Sequence, residues 1–211
     1  MSVDDQLADA PAPPTGRGRH VKKRGGSSRW FIELLGVVVV AVIVAVILRA
    51  FVVATYSIPS GSMEPTLQIG DRIVVDKLAY HLHGVGRSDI IVFSTPPLEN
   101  CAGPPVADLV KRVIGLPDET ISLSDGNVYI NGHFLPEPWL PTSVRDSTYP
   151  GPSGAGYSLH HAFRIPSGDV FVMGDNRTES CDSRYWGPVR ESTIVGKVDF
   201  RIWPLSRLGF F

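Results

Sequence analysis

Three stretches of this 211-residue chain carry side chains whose types and spacing could do chemistry. The first, Ser57-Ile-Pro-Ser-Gly-Ser-Met-Glu-Pro-Thr66, places three serines on a chain bent by Pro59, Gly61 and Pro65. Gly61 lets the backbone approach a substrate carbonyl closely. Ser62 is therefore a candidate nucleophile, with its own N–H and the Ser60 hydroxyl aimed at a developing oxyanion. The same composition also describes a flexible polar linker.

A serine nucleophile needs a base. After residue 54 the histidines are His81, His83, His133, His160 and His161. None sits in a motif with a nearby aspartate, so a Ser-His-Asp arrangement is not indicated. His81-x-His83 lacks a third ligand, and no metal site is expected. Lysine is the other route, and the same region has only Lys77, Lys111 and Lys197. Lys197 has Asp199 two positions on, which reads as a salt bridge on one strand face. Lys77, beside Asp76, reads as exposed.

Lys111 lies in Leu109-Val-Lys-Arg-Val-Ile114, where the same-face neighbours Leu109 and Val113 imply burial. Burial disfavours an ammonium and moves its pKa toward neutrality. A neutral amine near Ser62 could take its proton. A lysine whose stem packs while its head reaches water fits the same pattern.

The third stretch is Met173-Gly-Asp-Asn-Arg-Thr-Glu-Ser-Cys-Asp-Ser-Arg-Tyr-Trp-Gly187. Its density of polar groups suggests a hydrogen-bonded loop closing on a site. Asp182 could pair with Arg184 or Arg112, and Ser180 could orient a lysine amine. A plain surface loop has similar composition, although Tyr185-Trp186 implies that part of it is packed.

The elements that must position these groups fall into three segments. Residues 1–29 carry Arg17, Arg19, Lys22, Lys23, Arg24 and Arg29 against Asp4, Asp5 and Asp9, with no hydrophobic period; they read as a disordered basic tail. Residues 30–54 are apolar apart from Glu33 and Arg49, and as a helix would span about 37 Å, enough to cross a bilayer core of about 30 Å. Trp30 and Tyr56 bracket the span as interfacial aromatics, and the basic tail predicts a cytoplasmic N-terminus. The length favours an uncleaved signal-anchor over a signal peptide removed after Ala54.

Residues 55–211 read as one domain, mainly β, of antiparallel sheets with few short helices. Asp71–Tyr80, Ile90–Phe93, Leu109–Ile114, Glu119–Leu123, Val128–Ile130, Val170–Met173 and Lys197–Trp203 are the candidate strands. Short helical turns are expected around Met63–Leu67 and Glu191–Ile194. Asn131-Gly132 is a hairpin signal. The Pro/Gly/Ser-rich stretch 136–168 reads as an irregular surface insertion.

Overall charge excludes some partners. With 20 Lys and Arg against 21 Asp and Glu, the chain lacks the basic excess a nucleic-acid binder needs. Two cysteines exclude a disulfide-dense scaffold. Outside the cytoplasm, Cys101 and Cys181 are a candidate disulfide, the alternative being two free thiols.

Taken together, IPSGSMEPT (58–66), GDRIVV (70–75), KRVIGLP (111–117) and GDNRTESCDSRYWG (174–187) resemble, in order and spacing, the boxes of the type I signal peptidases, membrane-anchored Ser/Lys proteases of family S26. The resemblance implies Ser62 as acylating nucleophile, Lys111 as general base, and Ser60 with the Ser62 N–H as oxyanion donors. It further implies Ser180 as the residue orienting the lysine, and Arg112, Asp182 and Arg184 as structural support. No cofactor is implied. The implied substrates are secretory preproteins with small residues at the first and third positions before the cut. The implied setting is a single-pass plasma-membrane protein with its catalytic domain on the outer face, beside lipid and, in passing, the secretion machinery. The cysteines and residues 136–168 lie outside the shared boxes. Two other readings are a membrane Ser/Lys protease of different target (pilin-processing or self-cleaving) and a catalytically silent, membrane-anchored β domain that binds peptides.

Overall fold

The computed structural model describes residues 27–98, 101, 106–152 and 157–211, so most of the basic tail expected over 1–29 lies outside the described residues. The chain divides into two compact units, Met1–Val42 and Ile43–Phe211. Helix α1 runs Ser27–Phe51. Its stretch Arg29–Val46 is long and apolar enough to cross a membrane, about 27 Å at helical rise, and its side chains are exposed on every face. The helix ends before the expected Ala54. The Val-rich end of the run suits a strand as well as a helix, and Val53 and Ala54 are instead paired with Asp76 and Val75 in a sheet.

Among its described residues the second unit has twelve strands: β1 (Val53–Ser57), β2 (Arg72–Asp76), β3 (Ile90–Ser94), β4 (Asp108–Gly115), β5 (Thr120–Ser124), β6 (Asn127–Ile130), β7 (His133–Phe134), β8 (Phe163–Arg164), β9 (Asp169–Met173), β10 (Val189–Arg190), β11 (Ile194–Trp203) and β12 (Gly209–Phe210). Short helices α2 (Ala79–Leu82), α3 (Thr142–Arg145) and α4 (Ser183–Trp186) interrupt them. The main sheet has the order β1-β2-β11-β3-β4-β9-β10, with β12 on β11; a smaller sheet has the order β7-β6-β5-β8. Every pairing is antiparallel.

Alternation explains the layering. Ile73 and Val75 of β2 are fully buried while Arg72 is exposed. β3 is buried on both faces: Ile90 and Val92 pack with Ile58, Met63 and Leu67, and Ile91 and Phe93 with Val113, Val172 and Trp186. A further core fills the space beside the smaller sheet, around Ile121, Val128 and Phe171. The hairpin at Asn131-Gly132 takes the left-handed conformation its residues favour, with φ of 51° and 80°.

Two expectations need correction. Asp71–Tyr80 is not one strand: β2 stops at Asp76, whose Oδ1 accepts the Leu78 N–H at 2.7 Å and turns the chain into α2. The described residues of 136–168 hold only α3 and β8, as their composition suggests, but they are not a surface excursion. Leu140 is buried, Leu159 and Ile165 belong to the core beside the smaller sheet, and Glu137 and Thr148 are buried polar residues. Scattered apolar anchors among prolines give no period for the eye to find.

Candidate active site

Ser62 lies on a single 3-10 turn, Gly61–Met63, that follows β1. The turn is seated by Ile58, Met63 and Leu67, which dip into the core under β2. From the other side Asn176 clamps it: the Asn176 N–H donates to the Ser62 carbonyl and its Nδ2 to the Gly61 carbonyl, both at 3.1 Å. The Lys111 Nζ donates to Ser62 Oγ at 2.7 Å. Lys111 is 3% exposed, with Val113 fully buried and Leu109 half-buried, the burial its strand pattern predicts. Ser60, which precedes the turn, is exposed.

The third stretch wraps behind this pair. Gly174 must be glycine, because a Cβ there would collide with Ser180 Oγ and the Ser62 carbonyl oxygen. Ser180 is buried at this contact, and its hydroxyl has no hydrogen-bond partner among the described residues. Asp182 Oδ2 accepts the Gly174 N–H at 2.9 Å, and the carboxylate takes Arg184 Nε and Nη2 at 2.8 Å each. Of the two partners the sequence allowed for Asp182, the structure chooses Arg184. Arg112 instead grips Asp175, Nε to Oδ1 at 2.8 Å and Nη2 to Oδ2 at 2.6 Å. A third buried pair, Arg177 with Glu137, joins this loop to the 136–168 stretch.

Asp175, Asn176, Arg177 and Glu137 were not singled out from sequence. The signal for the first three was a polar triplet directly after the apolar strand β9. Lys197 also departs from expectation: it pairs with Asp89 at 2.7 Å, because the β11–β3 pairing sets Lys197 opposite Ile91, close to Asp89.

Burial alone would raise the Asp182 carboxyl. The charge and hydrogen bonds of Arg184, the Gly174 N–H and the charge of Lys111 together hold it below the ordinary carboxylate range. Asp182 and Lys111 therefore feel one another, with Lys111 the smallest of these causes. Among the described residues, no group of three His, Cys, Asp or Glu gathers in a way that could hold a metal ion.

A cavity of about 560 Å³ opens beside Ser62 and Lys111. One wall is the run Tyr56–Met63 and the other is Val106 with Asp108–Lys111 of β4; Asn176, Glu179 and the Cys101–Cys181 disulfide complete it. β9 pairs with β4 only from Arg112 onward, whereas β3 pairs with it from Asp108. One edge of Asp108–Val110 thus faces the cavity without a strand partner among the described residues. Tyr56 spans the two walls, its hydroxyl donating to Asp108 Oδ2 at 3.2 Å. Burial, then the charge and hydrogen bond of Asp108, push the Tyr56 phenol up, so it remains a donor.

A serine hydroxyl bonded to a buried lysine amine, beside a cavity with an open strand edge, is equipped for acyl transfer from an extended peptide. Comparison with known proteins agrees on the class and narrows it. The family described as Signal peptidase, peptidase S26, matches residues 31–203, and the chain belongs to that family. Signal peptidase I of Bacillus caldolyticus is 39% identical over 192 residues, 90% of this chain and 96% of the relative. Probable signal peptidase I-1 of Synechocystis sp. is 41% identical over 178 residues, 84% of this chain and 85% of the relative. Signal peptidase I of Leptolyngbya laminosa is 35% identical over 203 residues, 96% of this chain and 94% of the relative.

Proposed function

We propose that this chain is a membrane-anchored endopeptidase that removes signal peptides from secretory preproteins, with Ser62 as nucleophile and Lys111 as general base. The 2.7 Å hydrogen bond between Lys111 Nζ and Ser62 Oγ carries the reading. The preprotein lies extended along the open Asp108–Val110 edge of β4, with its small residues before the cut in the cavity. Neutral Lys111 takes the Ser62 proton as Oγ attacks the scissile carbonyl carbon. The Ser62 N–H and the Ser60 hydroxyl stabilise the oxyanion. The resulting ammonium protonates the leaving amine, the C–N bond breaks, and the mature chain departs. Lys111 then deprotonates a water, which hydrolyses the Ser62 ester and frees the signal peptide.

The base must be neutral to act, and Lys111 is 3% exposed. Ser180 packs on Gly174, and the Asp182–Arg184 pair fixes the loop that carries Ser180. Helix α1 supplies the anchor, with the basic tail on the cytoplasmic side and the catalytic domain on the outer face of the plasma membrane.

Preprotein cleavage by the detergent-solubilised full chain tests this reading. Ser62→Ala and Lys111→Ala should each reduce turnover by on the order of 10³-fold or more. Wild-type turnover in either variant removes the dyad assignment. Wild-type activity should rise with pH along its acid limb as the amine loses its proton.

A further inference from the structure

Pro136-Glu-Pro-Trp-Leu-Pro141 lies outside every stretch assigned to the reaction, yet two of its side chains reach arginines beside the reacting groups. Glu137, 1% exposed, forms the buried ion pair with Arg177. Two residues on, the Trp139 ring lies under the Arg112 guanidinium, 4.9 Å from its carbon to the ring centroid. Arg112 follows Lys111 on β4 and holds Asp175 with both carboxylate oxygens. Asp175 precedes Asn176, whose N–H and side chain hold the Ser62 and Gly61 carbonyls. One continuous set of contacts therefore runs from Trp139 through Arg112, Asp175 and Asn176 to the Ser62 turn.

The segment is suited to transmit position. Pro136, Pro138 and Pro141 restrict its backbone, and Leu140 anchors it in the core. The Trp139 indole N–H is buried without a hydrogen-bond partner among the described residues. A ring that gives up its N–H bond is held for its faces, and the guanidinium covers one of them. The fork of Arg112 is then fixed from three directions: the Trp139 face, the Asp175 carboxylate and the Ser88 carbonyl at 2.9 Å.

We propose that residues 136–141 are a brace, and that Trp139 is a positioning residue which, through Arg112 and Asp175, holds the Ser62 turn at reacting distance from Lys111. The proposal rests on the Ser62–Lys111 reading. Trp139 does not line the cavity beside Ser62 and Lys111, so its effect should fall on the chemical step and not on substrate binding.

The test compares Trp139→Phe, which keeps an aromatic face, with Trp139→Leu, which does not. The full chain in detergent is assayed for kcat and KM on a preprotein, per folded molecule. Trp139→Leu should lower kcat about tenfold with KM within about twofold, and Trp139→Phe should stay within about threefold of wild type. Arg112→Lys, which loses fork and stacking plane together, should show the same kcat-only loss.

Amide exchange across 174–180 provides a readout independent of catalysis: the Asn176 amide should exchange faster in Trp139→Leu than in Trp139→Phe. An unchanged kcat in Trp139→Leu, a change confined to KM, or equal losses in the Leu and Phe variants overturns the brace. So does equal exchange, which also decides the matter should the Leu variant be too unstable to assay. Failure of the wild type to cleave any preprotein would instead remove the proposed function, leaving the exchange comparison to judge the brace.

Discussion

The Ser62 turn is held mainly by apolar side chains, whereas the loop behind Lys111 is held by buried charge. Ile58, Met63 and Leu67 seat the turn in a core where shape and volume decide the fit. The Gly174–Arg184 loop is tied by Arg112–Asp175, Arg177–Glu137 and Arg184–Asp182, all with side chains nearly or wholly removed from water. Apolar contacts are non-directional and tolerate exchange at constant volume. A planar guanidinium gripped at several atoms tolerates almost none. The Ser62 turn is thus seated by packing and clamped on one side by Asn176, while the loop behind Lys111 is placed by direction.

The largest expected break in this contrast is Asp182→Asn. It leaves the Arg184 guanidinium, fully buried, without its countercharge, at a cost of about 3–5 kcal/mol. The sign of its pH dependence follows from a carboxyl whose folded-state pKa is lowered from about 3.8. Its contribution is fully present above that ordinary value and is lost as pH falls through the lowered one. Denaturant unfolding at several pH values should therefore show wild type and variant far apart at pH 7 and converging in acid. A constant gap down to the acid limit would remove the charge explanation.

Conservative substitutions sharpen the contrast at smaller cost. Arg184→Lys keeps the charge but cannot reach Asp182, the Tyr149 carbonyl and the Arg177 carbonyl together, as Arg184 now does. It should cost about 1–3 kcal/mol for the buried acceptors left unpaired. Met63→Leu, at 1% exposure, should cost less than about 1.5 kcal/mol and keep wild-type kcat. Thermal unfolding together with preprotein turnover orders the two. A Met63→Leu defect as large as that of Arg184→Lys would mean that the turn, too, depends on a specific side chain.

The same contrast explains what could be read from the chain itself. Strands such as β3, β4 and β9 were legible because burial leaves short apolar runs bounded by turn residues, and Ser62, Lys111 and Asp182 stood out as unusual residue types in short boxes. Partners were not legible. Lys197 has Asp199 on its own strand, yet the sheet order places β3 beside β11 and gives it Asp89. Glu137 meets Arg177 across 40 residues, and Arg112 meets Asp175 across 63. Charge complementarity over such separations depends on register, which no local pattern records. For the same reason residues 136–141 looked like surface: their contribution is a set of endpoints on distant arginines.

The smallest effect should come from a charge outside the site, where solvent weakens the same physics. Partial burial raises the Asp199 carboxyl; Asp76 and Asp89 add to this, while Lys197 opposes it. A carboxyl with a raised folded-state pKa favours the native state most below its ordinary value, and that contribution is lost as pH rises through the raised one. Near neutrality Asp199 is therefore a net repulsive neighbour of Asp76 and Asp89. Asp199→Asn should raise Tm at pH 7 by on the order of 1–2 °C and leave it unchanged or lower at pH 4. Added salt should shrink the gain, since the repulsion it relieves is screened. A Tm that falls at neutral pH would show that Lys197, although bonded to Asp89, depends on Asp199 as well, and that the surface pair behaves more like the buried ones than its exposure suggests.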